Sequence, residues 1–179
     1  MCDTDATRAT PLAERLVGKR LPPASFDTYR GHAVTFSELG ERLAIYCYPG
    51  CVCSPEDGYD SPARDSAQHR AFVYHREELR KLGFTPVGVS SHPAEGQRVT
   101  AVDSGILHPL LSDPELQLAV TLNLPTFNAD ATDWYCRLTM LAMRGRIVHA
   151  TYPIHRVGLS AWDLLSWLRN DGNRYTSRD

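Results

Sequence analysis

The sequence predicts an α/β domain, a mixed central sheet with helices on both faces, and three observations carry this. The apolar run Leu43-Ala44-Ile45-Tyr46 does not alternate with polar residues, which marks a strand buried on both faces. A long helical pattern, Ala63 to Leu82, and a second apolar strand, Phe84 to Ser90, follow it, so strand and helix alternate. Towards the end, Trp134 to Met143 and Arg146 to Tyr152 flank a turn at Gly145, and an amphipathic helix, Leu159 to Leu168, follows them. Alternation first and an antiparallel pair later call for a sheet of mixed direction.

The remaining elements fall into place around these. Leu12 to Val17 suits a short helical turn, and Gly18 to Pro23 a loop. Ser25 to Tyr29 and Ala33 to Thr35 flank Arg30-Gly31-His32 as a hairpin. Ser37-Glu38-Leu39-Gly40 reads as one helical turn stopped by glycine. The first core strand covers Arg42 to Tyr48, and Gly50 to Gly58 is a loop. Asp60-Ser61-Pro62 then provides a capping side chain and a first-turn proline for the long helix, whose apolar stripe is Ala67, Ala71, Tyr74, Leu79 and Leu82. Ala94 to Ser104 is a helix opened by Pro93, Leu110 to Ser112 a short extended piece, and Asp113 the cap of a helix reaching Leu122. This order is that of a thioredoxin-like fold with an N-terminal β-hairpin extension. One domain over residues 11–169 is expected, with a disordered tail at 1–10 and a polar tail at 170–179.

Composition narrows the function. A chain of 179 residues with 42% hydrophobic and 22% charged residues has the balance of a globular protein. A net charge of −2 gives no reason to expect nucleic acid. No apolar run approaches the roughly 20 residues of a membrane helix. Met1-Cys2-Asp3-Thr4-Asp5 lacks the basic start and apolar block of a signal peptide, so a cytoplasmic protein is expected. Five cysteines are odd in number and too few for a disulfide scaffold of this size. Cys47, Cys51 and Cys53 fall within one short stretch, Tyr46 to Cys53, at the end of the first core strand and just beyond it, and clustered cysteines in a reducing compartment more often serve catalysis or metal binding than structure.

Several stretches resemble the peroxiredoxin family in its alkyl-hydroperoxide-reductase-like, thiol-specific-antioxidant branch. Phe36-Ser37-Glu38-Leu39-Gly40 with Leu43-Ala44-Ile45-Tyr46-Cys47-Tyr48-Pro49 is similar to the family's L-S-E-L-x-G and V-V-x-F-Y-P. Leu82 to Ser91 resembles its second strand, and His108-Pro109-Leu110-Leu111-Ser112-Asp113-Pro114 its F-P-L-L-S-D-P. Arg137-Leu138-Thr139-Met140 with Arg144-Gly145-Arg146-Ile147 resembles its late hairpin. The resemblance runs from about Val17 to Leu168 and implies a thiol peroxidase in which Arg137 stabilises a cysteine thiolate, a thiol reductant as partner, no cofactor, and a homodimer.

The sequence departs from that family where its chemistry sits. The family carries P-x-x-x-[TS]-x-x-C, with the cysteine in the first turn of the helix, where the helix N-terminus and the arginine lower its pKa. Here Pro49 is followed four positions on by Cys53 and seven on by Glu56. No cysteine opens the helix; that region holds Asp60, Ser61, Arg64, Asp65 and Ser66. The candidate catalytic residues are therefore Cys51 and Cys53, a displaced Cys-x-Cys pair, with Arg137; Pro49, Asp60, Ser61, Arg64, Asp65 and Ser66 are the candidate pocket. A ring closed by a Cys-x-Cys disulfide is tight and easily reduced. Cys47 and Cys136 read as core residues, and the cysteine spacing matches no common zinc motif, so no metal is expected. His69 and His75 read as solvated, and His108 has no partner assignable from sequence.

Three functions are compatible with these residues. The first is a peroxidase or related thiol oxidoreductase using Cys51, Cys53 and Arg137. Another is an enzyme of specialised metabolism built on the same scaffold, acting on a small organic substrate in the pocket near Asp60 to Ser66 and Arg137 without cysteine chemistry. The last is a non-catalytic binding protein.

Overall fold

A computed structural model describes residues 12–50, 62–129 and 131–172. Its axis is strand β3 (Arg42–Cys47), buried on both faces. Leu43, Ile45 and Cys47 point into one apolar cluster, and Ala44 and Tyr46 into the other, which Tyr48 joins just beyond the strand. This explains the unbroken apolar run: side chains alternate between faces along a strand, and here both faces are covered.

Strands β4 (Thr85–Ser90) and β5 (Leu110–Ser112) continue the sheet in parallel on one side of β3. Strands β8 (Leu138–Met143) and β9 (Arg146–Thr151) extend it antiparallel on the other. The hairpin of β1 (Ser25–Thr28) and β2 (Ala33–Thr35) joins the far edge, with β1 antiparallel to β5. The result is a seven-stranded sheet in the order β2-β1-β5-β4-β3-β8-β9. Parallel neighbours require crossovers. Those from β3 to β4 and from β4 to β5 are made by α3 (Pro62–Tyr74) with α4 (Arg76–Lys81), and by α5 (Ala94–Asp103).

Helices cover both faces, as the sequence predicts. The helical turn α1 (residues 12–16), α2 (Phe36–Leu39) and α6 (Gln117–Leu122) pack Leu12, Leu16, Phe36, Leu118 and Leu122 against one face. On the other, α3, α4 and α5 contribute Phe72, Leu79 and Ala101, and α7 (Ser160–Asn170) contributes Leu164, Leu165 and Leu168. Local capping fixes the short helices. The backbone N–H of Thr35 donates to Glu38 Oε2 (2.7 Å) at α2, a capping box. The carboxylate of Asp113 accepts from the N–H groups of Gln117 (2.8 Å) and Leu118 (2.9 Å) at α6. Among the described residues no helix is long and apolar enough to cross a membrane.

Three sequence expectations need correction. The helix expected over residues 63–82 is two helices, interrupted at His75. Its apolar stripe coincides with the buried face only in part: Ala71 and Leu79 are buried, but Tyr74 is 83% exposed, and the buried face of α3 also carries Asp65, Gln68, His69 and Phe72. Asp65, Gln68, His69 and Phe72 are spaced by three and four, as a helix face requires, but the first three are polar, so a reading of hydrophobic periodicity cannot find them. The strand expected over Trp134 to Met143 is also two strands. Its first half, β7 (Thr132–Tyr135), leaves the main sheet and pairs with β6 (Thr126–Ala129), an unexpected second sheet. The chain changes sheets at Cys136 and Arg137.

Gly88 shows how tightly the sheet is packed on the α3 side. It pairs in register with Tyr46 on β3. A Cβ there would lie 2.5 Å from Leu110 Cδ2 and 2.8 Å from both Cζ and the hydroxyl of Tyr46. Substitution Gly88→Ala is expected to lower the unfolding free energy by about 1–3 kcal/mol through overpacking, measured by urea denaturation. An unchanged midpoint would mean that the Tyr46 ring does not lie over β4.

Candidate functional site

Arg137 opens β8 beside the carboxyl end of β3, where Leu138 pairs with Cys47. It is 4% exposed. A guanidinium cannot be stripped of water at that depth without a counter-ion. Asp65, in the first turn of α3 and 8% exposed, supplies it, with Oδ1 at 2.7 Å from Arg137 Nη1. This contact is ionic rather than a directed hydrogen bond; Nη1 donates to Gln68 Oε1 at 2.9 Å. The other carboxylate oxygen, Oδ2, accepts the backbone N–H of Gly50 (3.1 Å). Asp65 thus joins the arginine to the residue immediately before Cys51. Gly50 is left-handed, with φ +73°, and a Cβ there would lie 2.9 Å from His92 Cβ and 3.2 Å from Ser90 Oγ. Both its conformation and its packing call for glycine.

Behind this ion pair lies a buried set of rings. The Tyr46 hydroxyl sits between His69 Nδ1 (3.1 Å) and His108 Nε2 (2.8 Å). Its ring stacks on Phe72, with centroids 4.1 Å apart, and the Tyr48 ring meets His69 edge-on at 4.5 Å. Burial drives both histidines towards the neutral form, to pKa values of about 3; the charge of Arg137 adds to the effect at His69, and His69 itself adds to it at His108. Burial likewise pushes the Tyr46 hydroxyl well above its ordinary value. Gln68 Nε2, His69 Nε2 and Thr139 Oγ1 are all buried without a hydrogen-bond partner among the described residues. Such groups are uncommon in folded proteins, and Gln68, whose Oε1 accepts from Arg137, carries one of them.

The candidate residues divide accordingly. Arg137 and Asp65 meet in one ion pair, with buried Pro49 next to Gly50 and partly buried Ser66 next to Asp65. Cys51, Cys53, Asp60 and Ser61 lie outside the described residues, as does the side chain of Arg64. Cys47 is a core thiol, as expected. It is free, fully buried and on the opposite face of β3, and burial, with a further contribution from the Asp113 charge, raises its pKa far above the ordinary value. It is no nucleophile. Cys136 is buried, as expected, and disulfide-bonded as well. His69, read as solvated, is 1% exposed, and His108 finds a partner in Tyr46. Gln68 carries no signal of its own in the sequence, and neither does the inward placement of His69. The available signal was their helical spacing from Asp65. A cavity of about 390 Å³ at the other end of β3, lined by Leu21, Phe36, Leu43 and Arg144 among others, shares no residue with this site.

No family model and no curated protein matches the sequence. Solved structures do. Peroxidoxin BcpB from Mycobacterium tuberculosis superposes with a TM-score of 0.72 at 17% identity, over 86% of this chain and 96% of that one. A PrxQ variant from Xylella fastidiosa gives 0.72 at 20%, over 87% and 96%. The bacterioferritin comigratory protein of Xanthomonas campestris, whose structure was described in connection with its alkyl peroxide reduction activity, gives 0.71 at 21%, over 90% and 99%. The chain therefore has the thioredoxin-like fold of the peroxiredoxins, as its motifs indicate.

The two buried histidines make stability depend on pH. On unfolding, each ring regains the ordinary value of 6.5. Between about 3 and 6.5 the unfolded chain then binds more protons than the folded one, so stability is full above that window and falls as pH drops through it. At pH 5 the loss is expected to be about 2 kcal/mol for each histidine relative to pH 7.5, measured by guanidinium denaturation, and should shrink in a His69→Gln variant. A flat profile from pH 7.5 to 5 would show that the rings are not buried neutral.

Proposed function

We propose that the protein is a thiol-dependent peroxidase, with Cys51 and Cys53 supplying the reactive sulfurs and Arg137 the positive charge of the site. The observation that carries this reading is the tie from Gly50 through Asp65 to Arg137. The peptide preceding Cys51 is anchored on the carboxylate that holds the arginine, at the carboxyl end of the central strands, where α/β proteins bind their substrates. Asp60, Ser61 and Arg64 are assigned to the same pocket by their place in the chain, with Pro49, Asp65 and Ser66. Cys136, next in sequence to Arg137 and already in a disulfide, supports a setting in which sulfur is oxidised.

The chemistry balances with a peroxide and a thiol reductant. One cysteine, as thiolate, attacks the O–O bond; an S–O bond forms, the O–O bond breaks, and the alkoxide or hydroxide leaves and takes up a proton. The resulting sulfenic acid condenses with a second cysteine thiol, releasing water and forming a disulfide. An external thiol of low molecular weight, or a dithiol protein, returns two electrons and restores both thiols. Arg137 contributes charge in the first step, favouring thiolate over thiol and stabilising the oxygen that leaves.

One observation favours a second reading. The charge of Arg137 is already met by Asp65, the residue standing near where peroxiredoxins place their cysteine. This suits an enzyme of specialised metabolism that uses Asp65 and Arg137 on a small organic substrate and needs no thiol.

Peroxide consumption driven by dithiothreitol separates the two. Cys51→Ser and Cys53→Ser are each expected to lower kcat/KM at least about a hundredfold, and Arg137→Gln by a similar factor; Cys47→Ser should retain the rate. Turnover that survives loss of both Cys51 and Cys53 would overturn the thiol reading in favour of the second. No turnover in the wild-type protein would leave peroxide reduction without support.

A further inference from the structure

We propose that the cavity at the amino end of β3 is a binding site for a free α-amino acid with a large apolar side chain, held between Arg144 and Glu41. The proposal is independent of the thiol reading, because it uses none of the residues around Arg137. The cavity measures about 390 Å³, within the range of roughly 300–1,000 Å³ of sites that take small molecules. Its floor is apolar. Leu43 and Ala142, paired in register on β3 and β8, meet Phe36 of α2 and Leu21 there. All four belong to the apolar cluster on that face of the sheet, so the core itself holds the floor in shape. The walls are stiff as well. Pro22 and Pro23 form part of one, and each has its φ fixed by its ring. Thr35 forms part of another, and Glu38 accepts both its backbone N–H (2.7 Å) and its hydroxyl (2.8 Å). A preformed apolar floor calls for an apolar body in the ligand.

The mouth says what that body must carry. Arg144 and Glu41 both line the cavity and are both largely exposed. The backbone N–H of Arg144 donates to the Glu41 carbonyl at 2.6 Å, so the main chain sets the two residues side by side. Their side chains meet only loosely, with Arg144 Nε 3.8 Å from Glu41 Oε2. An exposed pair of that kind contributes little to stability, and it can open to admit a ligand. A ligand with a negative charge alone would be repelled by Glu41, and one with a positive charge alone by Arg144. A zwitterion satisfies both: its carboxylate takes the planar fork of the guanidinium, and its ammonium takes the carboxylate of Glu41. An α-amino acid carries these two groups on one carbon and leaves its side chain to reach the floor. The turn supplies an independent observation. Arg144 and Gly145 form a two-residue hairpin connection in which both are left-handed, with φ +48° and +72°. Such turns favour asparagine followed by glycine, and a non-glycine residue there is uncommon. The turn itself gives no reason for an arginine at that position, whereas a charge required at the mouth of the cavity does.

The full-length protein is titrated calorimetrically with L-phenylalanine, L-leucine and L-tryptophan, and the site is located by amide NMR. At least one of the three is expected to bind saturably and to move the amide signals of Gly40, Arg144 and Gly145. For L-phenylalanine, loss of either charge, in 3-phenylpropionate or 2-phenylethylamine, should weaken binding at least about tenfold, and L-alanine, without the apolar body, should give no measurable binding. Arg144→Gln should weaken L-phenylalanine and 3-phenylpropionate and leave 2-phenylethylamine unchanged, while Glu41→Gln should do the reverse for the two analogues. Both positions are exposed, so the variants should keep the wild-type fold. No saturable binding by any of the three amino acids overturns the proposal. So does binding of the one-charge analogues as tight as that of L-phenylalanine, indifference of L-phenylalanine binding to both substitutions, or amide shifts that gather around Arg137 instead.

Discussion

The site is organised by the need to neutralise one buried cation. Arg137 emerges where the chain leaves the small β6–β7 sheet and enters the main one, and this change of sheets puts it at the carboxyl end of β3 with almost no access to water. Left alone there, it would cost several kcal/mol. The first turn of α3 answers with Asp65, and the same carboxylate fastens Gly50. The first turn of α3, the start of β8 and Gly50 are thereby held against each other by a single carboxylate. Breaking the Arg137–Asp65 pair would be felt at Gly50 as well as in the core, because these three residues belong to separate segments of the chain.

This arrangement explains how a scaffold of peroxiredoxin type can lack a cysteine at the start of its first long helix. In the resemblance, the helix start and the arginine converge on a thiolate. Here the arginine meets the carboxylate of Asp65 from the first turn of α3, so the anion beside it is not a thiolate. The carboxylate itself holds the peptide N–H of Gly50, the residue that precedes Cys51 in the sequence. The buried face of α3 follows the same logic. Gln68 and His69 continue the polar line from Asp65 into the interior, and Tyr46 accommodates it from the sheet. Gly88 in turn makes room for Tyr46 on the neighbouring strand. A reaction that develops negative charge on oxygen would find donors already in place and little water to reorganise.

The fold was legible because its signals are local and redundant. The unbroken apolar run of β3, the helix-opening Pro62 and the short motifs around Ser37, Asp113 and Gly145 each specify one element, and their order specifies the rest. The site was only half legible. Arg137 and Asp65, which meet in an ion pair, are legible because each lies in or beside a motif. His69, Gln68 and Tyr46 were not, for a physical reason: each looks like something else in sequence. Tyr46 is one more apolar residue of a core strand, and Gln68 and His69 look like the solvated face of a helix, while the apolar Tyr74 occupies the exposed side. Only the packing of α3 against β3 reveals which face is inward. The division of the late hairpin at Cys136 was hidden in the same way, since Thr132 to Tyr135 and Leu138 to Met143 both have strand composition, and the switch between sheets is a tertiary event.

The central claim is that an oxidisable sulfur works beside Arg137, and trapping the oxidised sulfur tests it most directly. Fully reduced protein is exposed to less than one equivalent of hydrogen peroxide in the presence of dimedone, and the labelled peptide is located by mass spectrometry. The account predicts a sulfenic acid adduct on Cys51 or Cys53, greatly diminished in Arg137→Gln, and none on the core thiol Cys47. An absence of adduct on both Cys51 and Cys53 would contradict it.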